Sequence, residues 1–219
     1  MNVAYNVDCM EYMRTLPDKA FDLAVVDPPY GISITDSGRL KKYNKNKERW
    51  DDKTPPKEYF QQLCRVSKNQ IIWGGNYFDL PPCRGFLIWD KQQPEDVSFA
   101  SCEYAWTSFD VSAKTFYFSA LRENATRIHP TQKPVALYAW IFSRYAKPGD
   151  KILDTHLGSG SSRIAAWDAG LDFVGCEIDK DYFDAREKRF QEHTAQENLF
   201  LQMEMLEGVE DGTVPCDNT

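Results

Sequence analysis

Four consecutive residues, Asp27-Pro28-Pro29-Tyr30, carry the strongest chemical signature in this sequence. An amine conjugated to a planar ring is a poor nucleophile, because its lone pair is delocalised into the ring. Two acceptors can localise it. The Asp27 carboxylate can take one amine hydrogen and the Pro28 carbonyl the other, drawing the nitrogen toward tetrahedral geometry. The two prolines stiffen that carbonyl and bring no N–H to compete for the acceptors. Tyr30 offers a ring on which an unstacked base can lie. The run follows an apolar segment directly, so it sits at the carboxyl end of a strand, where ligands collect in an open parallel sheet. Four fixed residues arise by chance at about one position in 10⁵ at average composition, which leaves a plain strand terminator with a surface tyrosine as the weaker reading.

A second constellation lies far downstream. Lys151-Ile152-Leu153-Asp154 reads as a buried strand and runs into Thr155-His156-Leu157-Gly158-Ser159-Gly160-Ser161-Ser162 and then a helix. Strand, glycine turn and helix form the Rossmann-type context, in which glycine lets a ligand approach without meeting a Cβ. The next strand ends at Glu177, whose carboxylate can accept both hydroxyls of a ribose. Arg163 stands where a dinucleotide fingerprint has its third glycine, so a nucleoside without a pyrophosphate fits better.

The elements that must position these residues follow from periodicity. Strands are predicted near Val3–Val7, Asp22–Val26, Gln70–Trp73, Gly85–Trp89, Glu103–Trp106, Thr115–Phe118, Lys151–Asp154 and Phe173–Glu177. Helices are predicted over Met10–Leu16, Lys57–Val66, Val135–Tyr145, Ser162–Ala169 and Tyr182 to about Leu199. The fold class is therefore α/β: a mostly parallel sheet of seven or eight strands, covered by helices on both faces, with an antiparallel hairpin at one edge. Residues 1–202 form one domain, with a reacting half over 1–90, a short intervening segment over 91–128 and a nucleoside-binding half over 129–202. Residues 203–219 form an acidic, flexible tail.

A formal charge of −7 over 219 residues looks unfavourable for a nucleic-acid partner. Its distribution matters more. The tail holds five acids and no lysine or arginine, so residues 1–202 carry only −2. Between Arg39 and Arg49 stand Arg39, Lys41, Lys42, Lys45, Lys47 and Arg49 against one Glu48, a local +5 just after the Asp27 run. A solvated charged loop is the competing reading of that segment. Six scattered cysteines without a C-x-x-C pair argue against a zinc site or a disulfide framework and for reduced thiols, and no apolar stretch approaches a membrane span. A cytoplasmic protein without metal or membrane anchor is expected.

Asp8-Cys9, Asp27 to Gly31, Ile71-Ile72-Trp73-Gly74-Gly75-Asn76, His129-Pro130-Thr131-Gln132-Lys133-Pro134, Asp154 to Ser162 and Glu177 together resemble the amino-group DNA methyltransferases, in the permuted class whose catalytic motif precedes the cofactor motif. The resemblance spans about Tyr5 to Phe190. It implies a Rossmann-like methyltransferase fold with base flipping, and a bacterial or phage restriction-modification or orphan methylase. The cofactor it implies is S-adenosylmethionine, released as S-adenosylhomocysteine, and the substrate double-stranded DNA. On the same basis Asp8 and Cys9 contact the cofactor's adenine, and Glu177 with Ile178 beside it the ribose. The Asp154, His156, Leu157, Gly158, Ser159, Gly160, Ser161 and Ser162 loop meets the methionine portion, while Thr131, Gln132 and Lys133 help fix its carboxylate. Asp27 stands in both the cofactor and the catalytic set. Asp rather than Ser at position 27 favours adenine N6 over cytosine N4 within the family. The segment that the resemblance assigns to target recognition, about residues 91–128, is short for the family, which suggests either a short sequence readout or one shared with a second subunit in a homodimer.

Two rivals stand beside this reading. Cytosine N4, an RNA adenine or a protein glutamine amide offers the same planar amine, although glutamine-modifying enzymes usually place the glycine loop first. A DNA-binding module of the same fold without turnover is the other, and the presence of Asp27, Tyr30, Gly158, Gly160 and Glu177 argues against it.

Overall fold

The computed structural model describes residues 1–34, 50–94, 100–119, 122 and 127–207, with side chains as far as residue 196. Its eight strands, among the described residues, are β1 (Asn2–Asn6), β2 (Phe21–Val26), β3 (Ser67–Trp73), β4 (Phe86–Asp90), β5 (Cys102–Thr107), β6 (Lys114–Tyr117), β7 (Lys151–Asp154) and β8 (Asp172–Glu177). They form one sheet in the order β1-β8-β7-β2-β3-β5-β4-β6. All neighbours pair in parallel except β5, which runs against both β3 and β4. The expected hairpin is thus β4–β5, inserted through β5, with β6 outside it as the edge strand. Residues 91–128 consequently supply β5 and β6 to the sheet.

The position of the site follows from strand order. From β2 the chain proceeds to β3 on one side, and from β7 to β8 on the other. The order therefore reverses between β2 and β7, which pair through Leu23↔Ile152 and Ala24↔Leu153. A crevice opens outside the carboxyl ends of strands at such a reversal. Asp27 and Thr155 begin the two loops on its rim.

Alternation along the strands sorts the core. Leu23, Val25, Ile71, Trp73 and Phe173 face the helices α3 (Val135–Tyr145) and α4 (Ser161–Asp168), where Leu137, Ile141, Phe142, Ala165 and Ala166 meet them. Ala24, Val26, Ile72, Leu153 and Val174 face the other way, toward Met13 of α1 (Cys9–Arg14) and Tyr59, Leu63 and Val66 of α2 (Lys57–Val66). Both faces are covered, which is why the strands read as near-continuous apolar runs.

Strand ends shift by up to three residues, β3 beginning at Ser67 instead of Gln70, and two helix boundaries have a clear physical reason for differing from expectation. Helix α1 starts one residue early because Asp8 caps it, accepting from the Met10 and Glu11 amides, and it ends at Arg14, ahead of Pro17. Helix α5 (Lys180–Glu207) continues well past Leu199 into the segment expected to be an irregular acidic tail. Leu, Gln, Met and Glu are strong helix formers, and the first breaker is Gly208. Residues 208–219 lie outside the described residues. So do all six members of the basic cluster, Arg39, Lys41, Lys42, Lys45, Lys47 and Arg49. No helix among the described residues is long and apolar enough to cross a membrane.

Candidate active site

The glycine turn is built from backbone donors and buried carboxylates. Asp154, at the end of β7, accepts from the His156 amide (3.1 Å) and the Ser162 hydroxyl (2.6 Å), so it ties the two ends of the turn together. Burial, with Asp27 and Glu177 nearby, pushes its carboxyl up to about 7. Glu177, at the end of β8, accepts from the amides of Gly158 (2.8 Å) and Asp179 (3.0 Å). Gly158 has φ +49°, and a Cβ there would point at the His129 ring 3.7 Å away. Gly175 serves the same turn from beneath, since a Cβ there would fall 2.6 Å from Leu157 Cδ2.

The Asp-Pro-Pro-Tyr turn is built differently. Asp51, 2% exposed, accepts from the amides of Tyr30 (2.7 Å), Gly31 (3.0 Å) and Ile34 (3.0 Å), which closes the loop on one carboxylate. The Tyr30 hydroxyl donates to Asp27 Oδ1 (2.6 Å), and Lys133 Nζ lies 2.5 Å from Asp27 Oδ2 and 2.9 Å from Glu103 Oε2. Burial raises the Asp27 carboxyl above its usual range despite Lys133 beside it. Burial opposes the Lys133 charge, but Asp27 and Glu103 outweigh it and hold the ammonium protonated. The Tyr30 ring packs over Gly74, where a Cβ would fall 2.1 Å from Tyr30 Cε1, and it stacks on Tyr77 at 4.9 Å and 15°. The ring expected to receive a base is therefore already covered by a neighbouring tyrosine.

Both turns open onto one cavity of about 350 Å³, within the range of small-molecule sites. Of the residues singled out from sequence, Asp8, Cys9, Asp27, Pro29, Thr131, Gln132, Lys133, His156, Leu157, Gly158, Ser159, Glu177 and Ile178 line it. Pro28, Tyr30, Asp154, Gly160, Ser161 and Ser162 stand behind the lining. Pro28 is buried. Gly160 backs onto Arg186, and the Ser161 hydroxyl accepts from Arg189 (2.9 Å). Gly160 and Ser161 are thus structural supports of the wall. Lys133 differs from expectation in another way, because its ammonium is engaged by two carboxylates instead of standing free for a ligand's carboxylate.

Other residues on the lining include Tyr59 and Tyr182, which the sequence did not mark as site residues, and Trp50, which it marked only as a neighbour of the basic segment; Trp50 and Tyr182 pack on the His129 ring at 5.3 and 4.4 Å. Tyr59 bonds Thr155 (2.6 Å) from beneath the turn. Burial lowers His129 to about 3 and His156 to about 4, so both rings are neutral near pH 7. Burial, with Asp8 beside it, raises the Cys9 thiol to about 12 and leaves it unreactive. Glu103 did carry a signal, an acid inside an otherwise apolar strand, whereas Asp51 lies in a polar segment that gives none.

Gln132 Oε1 accepts from the Ile128 amide (3.0 Å), which fixes the amide group; its Nε2 and Trp50 Nε1 are buried and have no hydrogen-bond partner among the described residues. The Glu177 carboxylate stands on the lining, where it is an acceptor for a ligand's hydroxyls such as those of a ribose.

Residues 86–188 match the family model described as "DNA methylase", for the N6/N4 methyltransferases. The match, with relatives named type II methyltransferases, supports an amino-group DNA methyltransferase. The chain is 24% identical over 250 aligned positions to the type II methyltransferase M.HinfI of Haemophilus influenzae, covering 88% of this chain and 69% of that protein. Among solved structures it shares its fold with the M1.HpyAVI–SAM complex (TM-score 0.59, 20% identity, covering 86% of this chain and 98% of that one). It also shares it with PvuII DNA methyltransferase, described as cytosine-N4-specific (TM-score 0.62, 13% identity, covering 92% and 93%).

Proposed function

We propose that this protein transfers a methyl group from S-adenosylmethionine to N6 of adenine in double-stranded DNA. One observation carries the reading: Asp27 and Pro29 line the same cavity as Gly158, Ser159 and Glu177. An amine acceptor and a nucleoside site therefore share one space. The SAM complex of M1.HpyAVI supports the cofactor, and Asp at position 27 supports adenine. The bacterial source of M.HinfI supports a cytoplasmic setting.

In this account Glu177 accepts the ribose hydroxyls through the lone pairs its amide partners leave, Ile178 and Asp8 flank the adenine, and Thr131 and Gln132 on the lining meet the methionine portion. When bound, S-adenosylmethionine supplies an electrophilic methyl group and leaves as S-adenosylhomocysteine. Asp27 and the Pro28 carbonyl accept the two amine hydrogens and aim the nitrogen lone pair at that methyl. As the new N–C bond forms, the nitrogen sheds a proton, and Asp27 is the nearest base to receive it. Burial favours this, since it makes the carboxylate more basic than one in water. The +5 segment from Arg39 to Arg49, just downstream of Tyr30, supplies phosphate contacts for a duplex whose base is flipped.

The test is transfer of label from tritiated S-adenosylmethionine to unmethylated duplex DNA of high sequence complexity, followed by digestion to nucleosides. Label in N6-methyl-2′-deoxyadenosine is expected. Label in N4-methyl-2′-deoxycytidine, matching the cytosine-N4 specificity of the PvuII enzyme, would replace the adenine assignment. Label only in RNA or protein would overturn DNA as the substrate.

A further inference from the structure

Asp27 is one end of a file of four charges. Lys91 Nζ lies 2.6 Å from Glu103 Oε1, Glu103 Oε2 lies 2.9 Å from Lys133 Nζ, and Lys133 Nζ lies 2.5 Å from Asp27 Oδ2. The signs alternate and cancel. The Lys133 side chain is 3% exposed and the other three no more than 20%, so each charge is compensated by its neighbours far more than by water. Glu103 comes from β5, the strand that runs against the sheet, and Lys91 follows β4, where Trp89 pairs with Glu103. Asp27 and Lys133 line the cavity, whereas Lys91 and Glu103 stand outside it.

Other groups face the file. Asp27 also receives the Tyr30 hydroxyl, and it lies near enough to Asp154 at the end of β7 and Tyr138 of α3 to act on both through its charge. Glu103 faces Lys91, Lys133 and the Tyr30 hydroxyl (3.4 Å). Held by the two lysines against the cost of burial, Glu103 stays ionised down to about pH 2.

An ammonium 2.5 Å from Asp27 competes for the lone pairs that the target amine must use. Glu103 pulls the same ammonium from the other side, and Lys91 sets how strongly it pulls. We propose that Glu103 is a positioning residue for methyl transfer, sharing Lys133 with Asp27 so that the Asp27 carboxylate remains an effective acceptor for the amine. The inference rests on reading Asp27 as that acceptor.

Opposite changes to the file have opposite consequences. Glu103→Gln keeps the side chain's size and removes its charge, so Lys133 rests wholly on Asp27 and makes it a weaker, more acidic acceptor. Lys91→Met leaves Glu103 with a single cation, draws Lys133 toward Glu103 and makes Asp27 more basic. The experiment measures single-turnover methyl transfer to duplex DNA against pH for the wild type, E103Q and K91M, with S-adenosylmethionine affinity by calorimetry. For E103Q the expected result is a plateau rate lower by roughly tenfold or more, an acidic limb displaced to lower pH and a Kd within about twofold of wild type. For K91M the acidic limb moves to higher pH. Wild-type behaviour of E103Q in both plateau and limb, or limbs of the two variants displaced in the same direction, would overturn the role of Glu103. A wild-type enzyme inactive on DNA would instead overturn the reading of the site, and the inference with it.

Discussion

The two turns that meet in the cavity are assembled by different means. The glycine turn is held mainly within one strand–turn–helix unit and the strand after it: Ser162 bonds Asp154 eight residues away, and Gly158 bonds Glu177 nineteen away, with Tyr59 the distant support beneath Thr155. The Asp-Pro-Pro-Tyr turn has Asp51 at a similar separation, 21 residues from Tyr30, but its charged partners are distant: Glu103 lies 73 away and Lys133 lies 103 away. The first is a rigid backbone cradle for a ligand. The second is a long-range assembly of buried charges and stacked rings, in which the reacting carboxylate has its setting decided by the rest of the sheet. Damage to each should therefore appear in a different measurement.

The largest separation is expected from Gly74→Ala. Its Cβ would fall 2.1 Å from Tyr30 Cε1 at a backbone φ of +70°, so the ring, and Asp27 bonded to it, must move. Misplacement by about 1 Å costs on the order of a hundredfold in rate, and cofactor affinity should change by less than about threefold, read as kcat against calorimetric Kd. Glu177→Ala should do the reverse. Losing charge-assisted bonds to the ribose weakens cofactor binding by roughly 30- to 100-fold, and kcat at saturating cofactor should remain within a few-fold of wild type. The smallest effect concerns pH. With His129 held near 3 and His156 near 4 by burial, neither ring ionises in the active range, so kcat/KM should show no inflection near 6.5 that disappears in His156→Gln. Both shifts are downward in the folded state, so their contribution to stability is present above pH 6.5 and fades as pH falls toward 4 and 3, which acid-dependent melting would register.

The same contrast explains what could be read from the sequence. The glycine turn was legible because each of its parts lies in one strand–turn–helix unit, with Glu177 one strand later. Helix α2 was legible to the residue, since Pro55-Pro56 marks its start and apolar spacing marks its buried face. Asp27 to Tyr30 announced its chemistry but not its surroundings. Asp51, Glu103 and Tyr77 reach that loop only through sheet order and a close approach at Gly74, and neither quantity has a local sequence signal. Lys133 appears in a motif, yet its ion pairs depend on where β5 enters the sheet. The α5 extension was missed because acidic composition suggested a solvated tail, whereas helix propensity without a breaker carried the helix on to Glu207.

The central claim is that ligand binding and amine activation are separate tasks of two turns around one cavity. Asp27→Ala tests it most directly, because Asp27 belongs to the turn that meets the amine. Measured side by side, S-adenosylmethionine affinity should stay within about threefold of wild type, and single-turnover methyl transfer to duplex DNA should fall by roughly a thousandfold or more. An Asp27→Ala enzyme that transfers methyl groups at a near-normal rate, or that loses cofactor binding and transfer together, would contradict the account.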